Sequence, residues 1–205
     1  MNIIKPNKQR GRPPAFNHED ALKKALQVFW QRGYEGASMT ELTEALGINR
    51  PSIYAAFGNK EALFRKALSK YTAGPVAYIA HALSAPTASL VVEKILTQSA
   101  LFLTDPTNPS GCMMVLGALS GGKDSELIKQ ELIAHRKNFE EKLKQRFELA
   151  QTQSDLAQTV DTASLAKYIA TIHQGLSVQA TSGATREELL SVVELTLKNW
   201  AALTQ

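Results

Sequence analysis

Between Ser38 and Asn59, signals that start and stop helices follow one another too closely for any long helix to form. "SMTE", residues 38–41, is a capping box, in which the Ser38 and Glu41 side chains satisfy backbone N–H groups at a helix start. Gly47 stops the helix this box opens, because glycine enters the left-handed backbone of a helix end at least cost. Asn49 caps the next helix, and Pro51 falls in its first turn, where a missing N–H costs little. Gly58 breaks that helix and Asn59 caps another. Two short helices joined by a turn containing glycine form a helix-turn-helix pattern.

The second short helix, roughly 50–57, has two unlike faces. Ile53 and Phe57 are spaced i, i+4 and take the core side. Arg50, Ser52, Tyr54 and Ala55 remain for the other side, with Pro51 beside them. A helix of this kind can enter a DNA major groove, about 12 Å wide, while the helix before it braces against the backbone. Arg50 can fork onto guanine or clamp a phosphate. The Ser52 hydroxyl suits either, the Tyr54 hydroxyl suits a phosphate, and Ala55 suits a thymine methyl. Lys60, Ser38 and Thr40 sit in first turns, where exposed N–H groups favour phosphate. Each residue also has a plainer role: Ser38 caps its helix regardless, Tyr54 can pack, and Lys60 can simply be solvated. Their joint spacing makes the case for DNA.

The stretch "FNHEDALKKALQVFWQRGYEGASMTELTEALGINRPSIYAAFGNKEALFRKAL", from Phe16 to Leu68, resembles the DNA-binding domain of the TetR family of bacterial regulators. The resemblance rests on "F-x-x-x-G-Y", "T-E-L-T-E-A-L-G-I" and "S-I-Y-A-A-F-x-N-K-E-A-L". It implies that Arg50, Ser52, Tyr54 and Lys60 contact double-stranded operator DNA. Ala55 departs from the family habit of a bulky aromatic or histidine after the tyrosine, so base preference there does not carry over. The resemblance further implies a helical domain from about residue 75 onward that dimerises and binds a small-molecule effector, with repression as the default.

Strand signals are nearly absent elsewhere, and an all-α fold is expected: an N-terminal three-helix DNA-binding domain with helix-turn-helix, then a C-terminal helical ligand-binding and dimerisation domain. Residues 1–16 read as a flexible basic arm, 17–72 as the DNA-binding domain and 73–205 as the effector and dimerisation domain. Asn17 caps the first helix and Gly33 ends it; the helix capped by Asn59 runs to about Thr72. Further helices are expected at roughly 76–84, 88–104, 112–120, 125–151, 162–181 and 185–204. Residues 1–70 hold 12 Lys/Arg against 6 Asp/Glu, whereas 71–205 hold 11 against 13. Such an asymmetry suits a polyanion-binding module attached to something else. "Arg10-Gly11-Arg12-Pro13" resembles an AT-hook core, whose arginines enter a narrow minor groove; the plainer reading is a basic tail adding nonspecific affinity.

In the last two helices, Ile169, Ile172, Leu176 and Gln179 line one stripe and Leu189, Val192, Val193, Thr196, Leu197 and Trp200 another. Two such hairpins would make a four-helix interface between identical subunits, with Ile172, Leu176, Gln179, Leu189, Val193, Leu197 and Trp200 as the contact set. Packing inside one chain would use part of the same stripes. Gly175 in mid-helix suggests close helix approach. Candidate effector-pocket residues are Phe102, Cys112, Met113, Leu116, Phe139 and His173, apolar walls with few polar groups.

Cys112, the single cysteine, has two readings. At a helix start its thiol pKa would fall, and some members of the resembled family carry a responsive cysteine after glycine here. Alternatively it is a small apolar packing residue beside Met113 and Met114. "GALSGGKD", 117–124, nearly spells a phosphate-binding loop, but Asp124 stands where a hydroxyl should hold Mg²⁺ and no strand precedes it. The four histidines show no metal-ligand spacing, although a Cys112/His135 or Cys112/His173 pairing stays open. No metal, cofactor or catalytic residue is assigned. With no signal-peptide core and no run of membrane-spanning length, a cytoplasmic location is expected.

Overall fold

The computed structural model describes residues 17–117 and 125–204. The arm with Arg10 and Arg12, and all of "GALSGGKD" but Gly117, lie outside the described residues. Eleven helices and no strand occur among the described residues. They are α1 (His18–Gly36), α2 (Met39–Leu46), α3 (Arg50–Phe57), α4 (Lys60–Ala73), α5 (Tyr78–Leu83), α6 (Ala88–Leu103), α7 (Met113–Leu116), α8 (Glu126–Thr152), α9 (Thr162–Thr181), α10 (Arg186–Lys198) and α11 (Trp200–Leu203). The fold is all-α, with an N-terminal helix-turn-helix domain and a C-terminal helical domain.

Four boundaries differ from expectation, each for a local reason. Gly33 does take a left-handed φ of 70°, but one more turn follows and ends when the Ala37 N–H reaches the Gly33 carbonyl. α5 starts at Tyr78 rather than 76, because the Gly74–Ala77 segment is a tight turn and Ala77 has no capping side chain. α7 spans only Met113–Leu116 and closes at Gly117. The last helix is divided at Asn199, whose side-chain amide donates to the Leu195 carbonyl at 2.8 Å.

The N-terminal core forms where α1 lies along α4. Ala25, Leu26 and Phe29 of α1 meet Leu63, Phe64 and Ala67 of α4, with Leu42, Ile53 and Phe57 closing from α2 and α3. Phe29 and Phe64 pack edge to face at 5.1 Å. Burying a side chain of this size contributes about 1.5–3 kcal/mol, so these few contacts hold the short α2 and α3, which propensity alone would not. The larger core lies among α6, α8, α9 and α10, from Val91, Ile95, Leu143, Phe147, Ala166 and Ile169.

Buried aromatic contacts join the two cores. Trp30 of α1 stacks on Phe102 of α6 at 5.4 Å and meets Tyr71 of α4 edge-on at 4.9 Å. The Trp30 indole N–H donates to the Gly111 carbonyl at 2.7 Å. On the surface the Arg65 Nη2 donates to Glu131 of α8 at 2.6 Å, with its Nε at 2.9 and 3.0 Å from the two carboxylate oxygens.

Gly111 has φ of +83°, and a Cβ there would lie 2.5 Å from both Leu116 Cδ1 and Thr181 Cγ2. Gly183 has φ of +93° but open space around it. Gly111→Ala should therefore destabilise by roughly 2–4 kcal/mol, strain plus overpacking, against about 1 kcal/mol for Gly183→Ala. Urea denaturation of both variants measures this; equal losses would show that Leu116 and Thr181 yield freely.

Candidate functional site

The helix-turn-helix forms as its caps dictate. The Glu41 N–H donates to Ser38 Oγ at 3.1 Å and the Ser38 N–H to Glu41 Oε2 at 3.0 Å, closing the capping box. Those bonds hold the Glu41 carboxyl below its usual range, with the Arg32 cation helping. Gly47 is left-handed at φ 69°, ψ 25° and turns the chain into α3. There Asn49 Oδ1 accepts from the Ser52 N–H at 2.9 Å, and Asn59 Oδ1 accepts from the Ala62 N–H at 2.8 Å at the start of α4.

With its ends fixed, α3 buries Ile53 and Phe57 and presents Arg50, Pro51, Ser52 and Ala55 to solvent. Tyr54 is 44% exposed, so it is not a core residue. Ser38 and Thr40 are exposed at the start of α2. Lys60 is half-buried, its ammonium 4.5 Å above the Tyr34 ring. Burial lowers its pKa, while Glu35 and Glu41 pull the other way. It is thus neither freely solvated nor neutralised by a direct ion pair among the described residues. Tyr34 as the platform under Lys60 was missed from sequence, although it lies in the quoted "G-Y" pair.

A cavity of about 310 Å³ opens in the C-terminal domain against α5, α7, α8 and α9. Cys112, Phe139 and His173 line it as expected. Phe102, Met113 and Leu116 do not: Phe102 stacks on Trp30, Met113 is buried in the core, and Leu116 lies against Gly111. The short turn of α7 brings Cys112, Met114 and Val115 to the cavity and leaves Met113 and Leu116 facing away from it. Sequence reading missed Arg136 and Lys142, which line it from α8, and named His135 only as a possible metal partner of Cys112. The i, i+3 spacing of Arg136 and Lys142 with Phe139, and the i, i+4 spacing of His135, was the available signal.

Cys112 does not have the lowered pKa expected at a helix start. Burial pushes its thiol up, outweighing hydrogen bonds from the Tyr71 hydroxyl and nearby N–H groups. A helix of four residues offers too little dipole to reverse this. Its N–H donates to Ser177 Oγ at 2.8 Å, and the Tyr71 hydroxyl lies 3.5 Å from Sγ.

His173 is 7% exposed, and its ring meets Phe139 at 4.8 Å. Its Nδ1 has no hydrogen-bond partner among the described residues. Burial pulls its pKa down to about 4. Among the described residues, no three His, Cys, Asp or Glu side chains are grouped to hold a metal ion.

The expected dimer stripe is divided. Leu176, Leu189 and Val193 are buried within the protomer, Ile172, Leu197 and Trp200 are half-buried, and Gln179 is exposed. Trp200 packs against Phe147 at 6.2 Å. The large apolar side chains left outside on α9 and α10 are Tyr168, Val178, Val192 and Leu195. Gly175 is not at a close helix approach within the chain, since a Cβ there would meet nothing within 4 Å. It borders a concavity with Ile172, Gln179 and Val192.

Residues 21–67 match the family model "Bacterial regulatory proteins, tetR family". The chain is 33% identical over 207 residues to the HTH-type transcriptional repressor ComR of Escherichia coli K12, covering 97% of this chain and 95% of that one. It is 29% identical to the HTH-type transcriptional repressor BdcR of the same organism, covering 95% of this chain and 94% of that one. Among solved structures, a cysteine mutant of the TetR family transcriptional regulator CifR, complexed with 26-bp double-strand operator DNA, is 43% identical with a TM-score of 0.88. That match covers 92% of this chain and 100% of that one.

An unfolded histidine titrates near 6.5, so the folded chain binds fewer protons than the unfolded one between about pH 6.5 and pH 4. The stability contributed by neutral His173 is complete above about pH 6.5 and lost as pH falls to about 4, up to about 3 kcal/mol. The melting temperature of His173→Phe should therefore fall less over this range than that of the unmodified chain; parallel curves would contradict this.

Proposed function

Since the chain belongs to the TetR family of bacterial regulatory proteins, and is a transcriptional repressor rather than an enzyme, we propose that it acts as a homodimer whose paired α3 helices enter successive major grooves of an operator and are withdrawn by a small molecule. One observation carries the DNA-binding part: α3 exposes Arg50, Ser52, Tyr54 and Ala55 directly over a buried Ile53 and Phe57. A helix held from beneath presents its outer side chains without reorganising on binding, and so at little entropic cost. Arg50 reads a base or clamps a phosphate; Ser38, Thr40, Ser52, Tyr54 and Lys60 position the backbone. Lys60, held over the Tyr34 ring, loses little side-chain freedom when it meets a phosphate.

Two recognition helices reach adjacent grooves only if held about 34–36 Å apart. The exposed Val178, Val192 and Leu195 of α9 and α10 supply an apolar face on which the twin subunit would pack. A ligand that favours another spacing lowers operator affinity by its differential affinity for the two states. The cavity beside α8 and α9 is the place for it.

Release by modification of Cys112 is a second reading, supported by the thiol's position in the cavity wall. Against it stands the raised pKa, which leaves little thiolate at neutral pH. Ligand release without covalent chemistry is the better-supported reading.

Arg50→Ala should weaken operator binding by about 5- to 150-fold, and Lys60→Ala should reduce the slope of log affinity against log salt by about 1. Gel shift on the promoter beside the gene, with a salt titration, checks both; unchanged binding in Arg50→Ala would remove α3 from the interface. Replacing Val192 and Leu195 together by Glu should yield a folded monomer in sedimentation that no longer shifts the operator. A dimer that persists would place the subunit contact elsewhere. Cys112→Ser should still be released by the effector, and release by electrophiles from the unmodified chain alone would favour the covalent reading.

A further inference from the structure

The cavity's charge pattern narrows the effector beyond "small molecule". On α8, Arg136, Phe139 and Lys142 recur every three residues and all line the cavity, with an aromatic ring between two cations. No Asp or Glu lines the cavity among the described residues. Of the other cations on α8 and α9, Lys144 pairs with Glu148, Lys167 with Glu140, and Arg146 donates through Nη2 to the carbonyls of Ala85 and Pro86. Arg136 and Lys142 have no carboxylate partner among the described residues. Arg136 is half-buried and lines the same cavity as Cys112.

The rest of the lining sets apolar Val76, Ile79, Leu83 and Val115 beside the polar Thr72, His135, Asn138 and Gln174. His173 stands in the same wall, nine-tenths buried, with its Nδ1 unpartnered among the described residues. That nitrogen is sealed from solvent, so His173 meets the cavity through the rest of its ring, beside Phe139. The volume of about 310 Å³ has room for about ten non-hydrogen atoms, at roughly 30 Å³ for each water-sized group.

We propose that the effector is a small organic carboxylate: its anionic head is held by Arg136 and Lys142, and its apolar body lies against Phe139, Ile79 and Leu83. This rests on the reading of the chain as an effector-released repressor. Arg136 offers a planar fork that matches a carboxylate, and Lys142 a second charge at the mouth. A neutral compound of the same shape would leave both cations without gain from the site.

The test uses the full chain and two matched pairs of probes, benzoate with benzamide and octanoate with octanamide. Calorimetry measures binding, and gel shift measures operator release. The carboxylate of at least one pair should bind about 10- to 100-fold more tightly than its amide and release the operator. The Arg136→Met, Lys142→Met double variant should lose that preference while still binding the amide and the operator. The Lys142→Arg variant should keep the preference. Amides that bind as tightly as carboxylates, a preference that survives in the double variant, or binding of no probe at all would each overturn the proposal. Failure of the ligand-free protein to shift its operator in the same titrations would instead sink the repressor reading, whatever the probes do.

Discussion

The hydrogen bond from the Trp30 indole to the Gly111 carbonyl, 2.7 Å long and buried, is the contact on which the relation between the two ends of the chain depends. It joins a helix of the N-terminal core to the loop that leads into α7. A buried donor and acceptor that lost each other would each pay desolvation, so the bond fixes distance and direction together. Around it Phe102 stacks on Trp30, Tyr71 meets it edge-on, and the Tyr71 hydroxyl lies within reach of Cys112. Gly111 is favoured at that point because its backbone is left-handed and a Cβ would force the Leu116 and Thr181 side chains to shift. One residue thus supplies the acceptor for α1 and the turn that aims α7 at the cavity.

This junction explains why the sequence was most legible where structure is local. The capping box at Ser38 and Glu41, the left-handed Gly47, the Asn49 and Asn59 caps and the division of α3 into a buried Ile53/Phe57 face and an exposed Arg50/Tyr54 face are all settled within four or five residues. They read correctly because caps and i, i+4 spacing act at that range. Gly33 was legible as a break but not as a kink followed by a further turn, which depends on Ala37 reaching back to its carbonyl.

The cavity was only half legible, for a different physical reason. Cys112, Phe139 and His173 could be guessed from residue type, but Phe102, Met113 and Leu116 have the same apolar character and face elsewhere. Composition says that a residue will be buried; only the rotation of a four-residue helix says against what. The cations were missed because Arg136 and Lys142 look like ordinary surface charges on a long mixed-charge helix. What distinguishes them is that they line a cavity with no Asp or Glu among its described lining residues, which no linear pattern displays. The same holds for α9 and α10, where Leu176, Leu189 and Val193 match a dimer stripe in sequence but serve the protomer's own core.

α8 touches both the N-terminal domain and the cavity. Glu131 takes the Arg65 fork from α4, and Arg136 begins the cationic face of the cavity little more than one turn further on. A helix transmits displacement along its axis because its backbone bonds are stiffer than the side-chain contacts at its surface. If the cavity takes an anion as proposed, a shift of α8 toward it must be matched at Glu131, and Arg65 must follow or let go. The Arg65–Glu131 pair is exposed and so adds little to stability on its own. A contact that is directional yet weak would cost a ligand little differential binding energy to break.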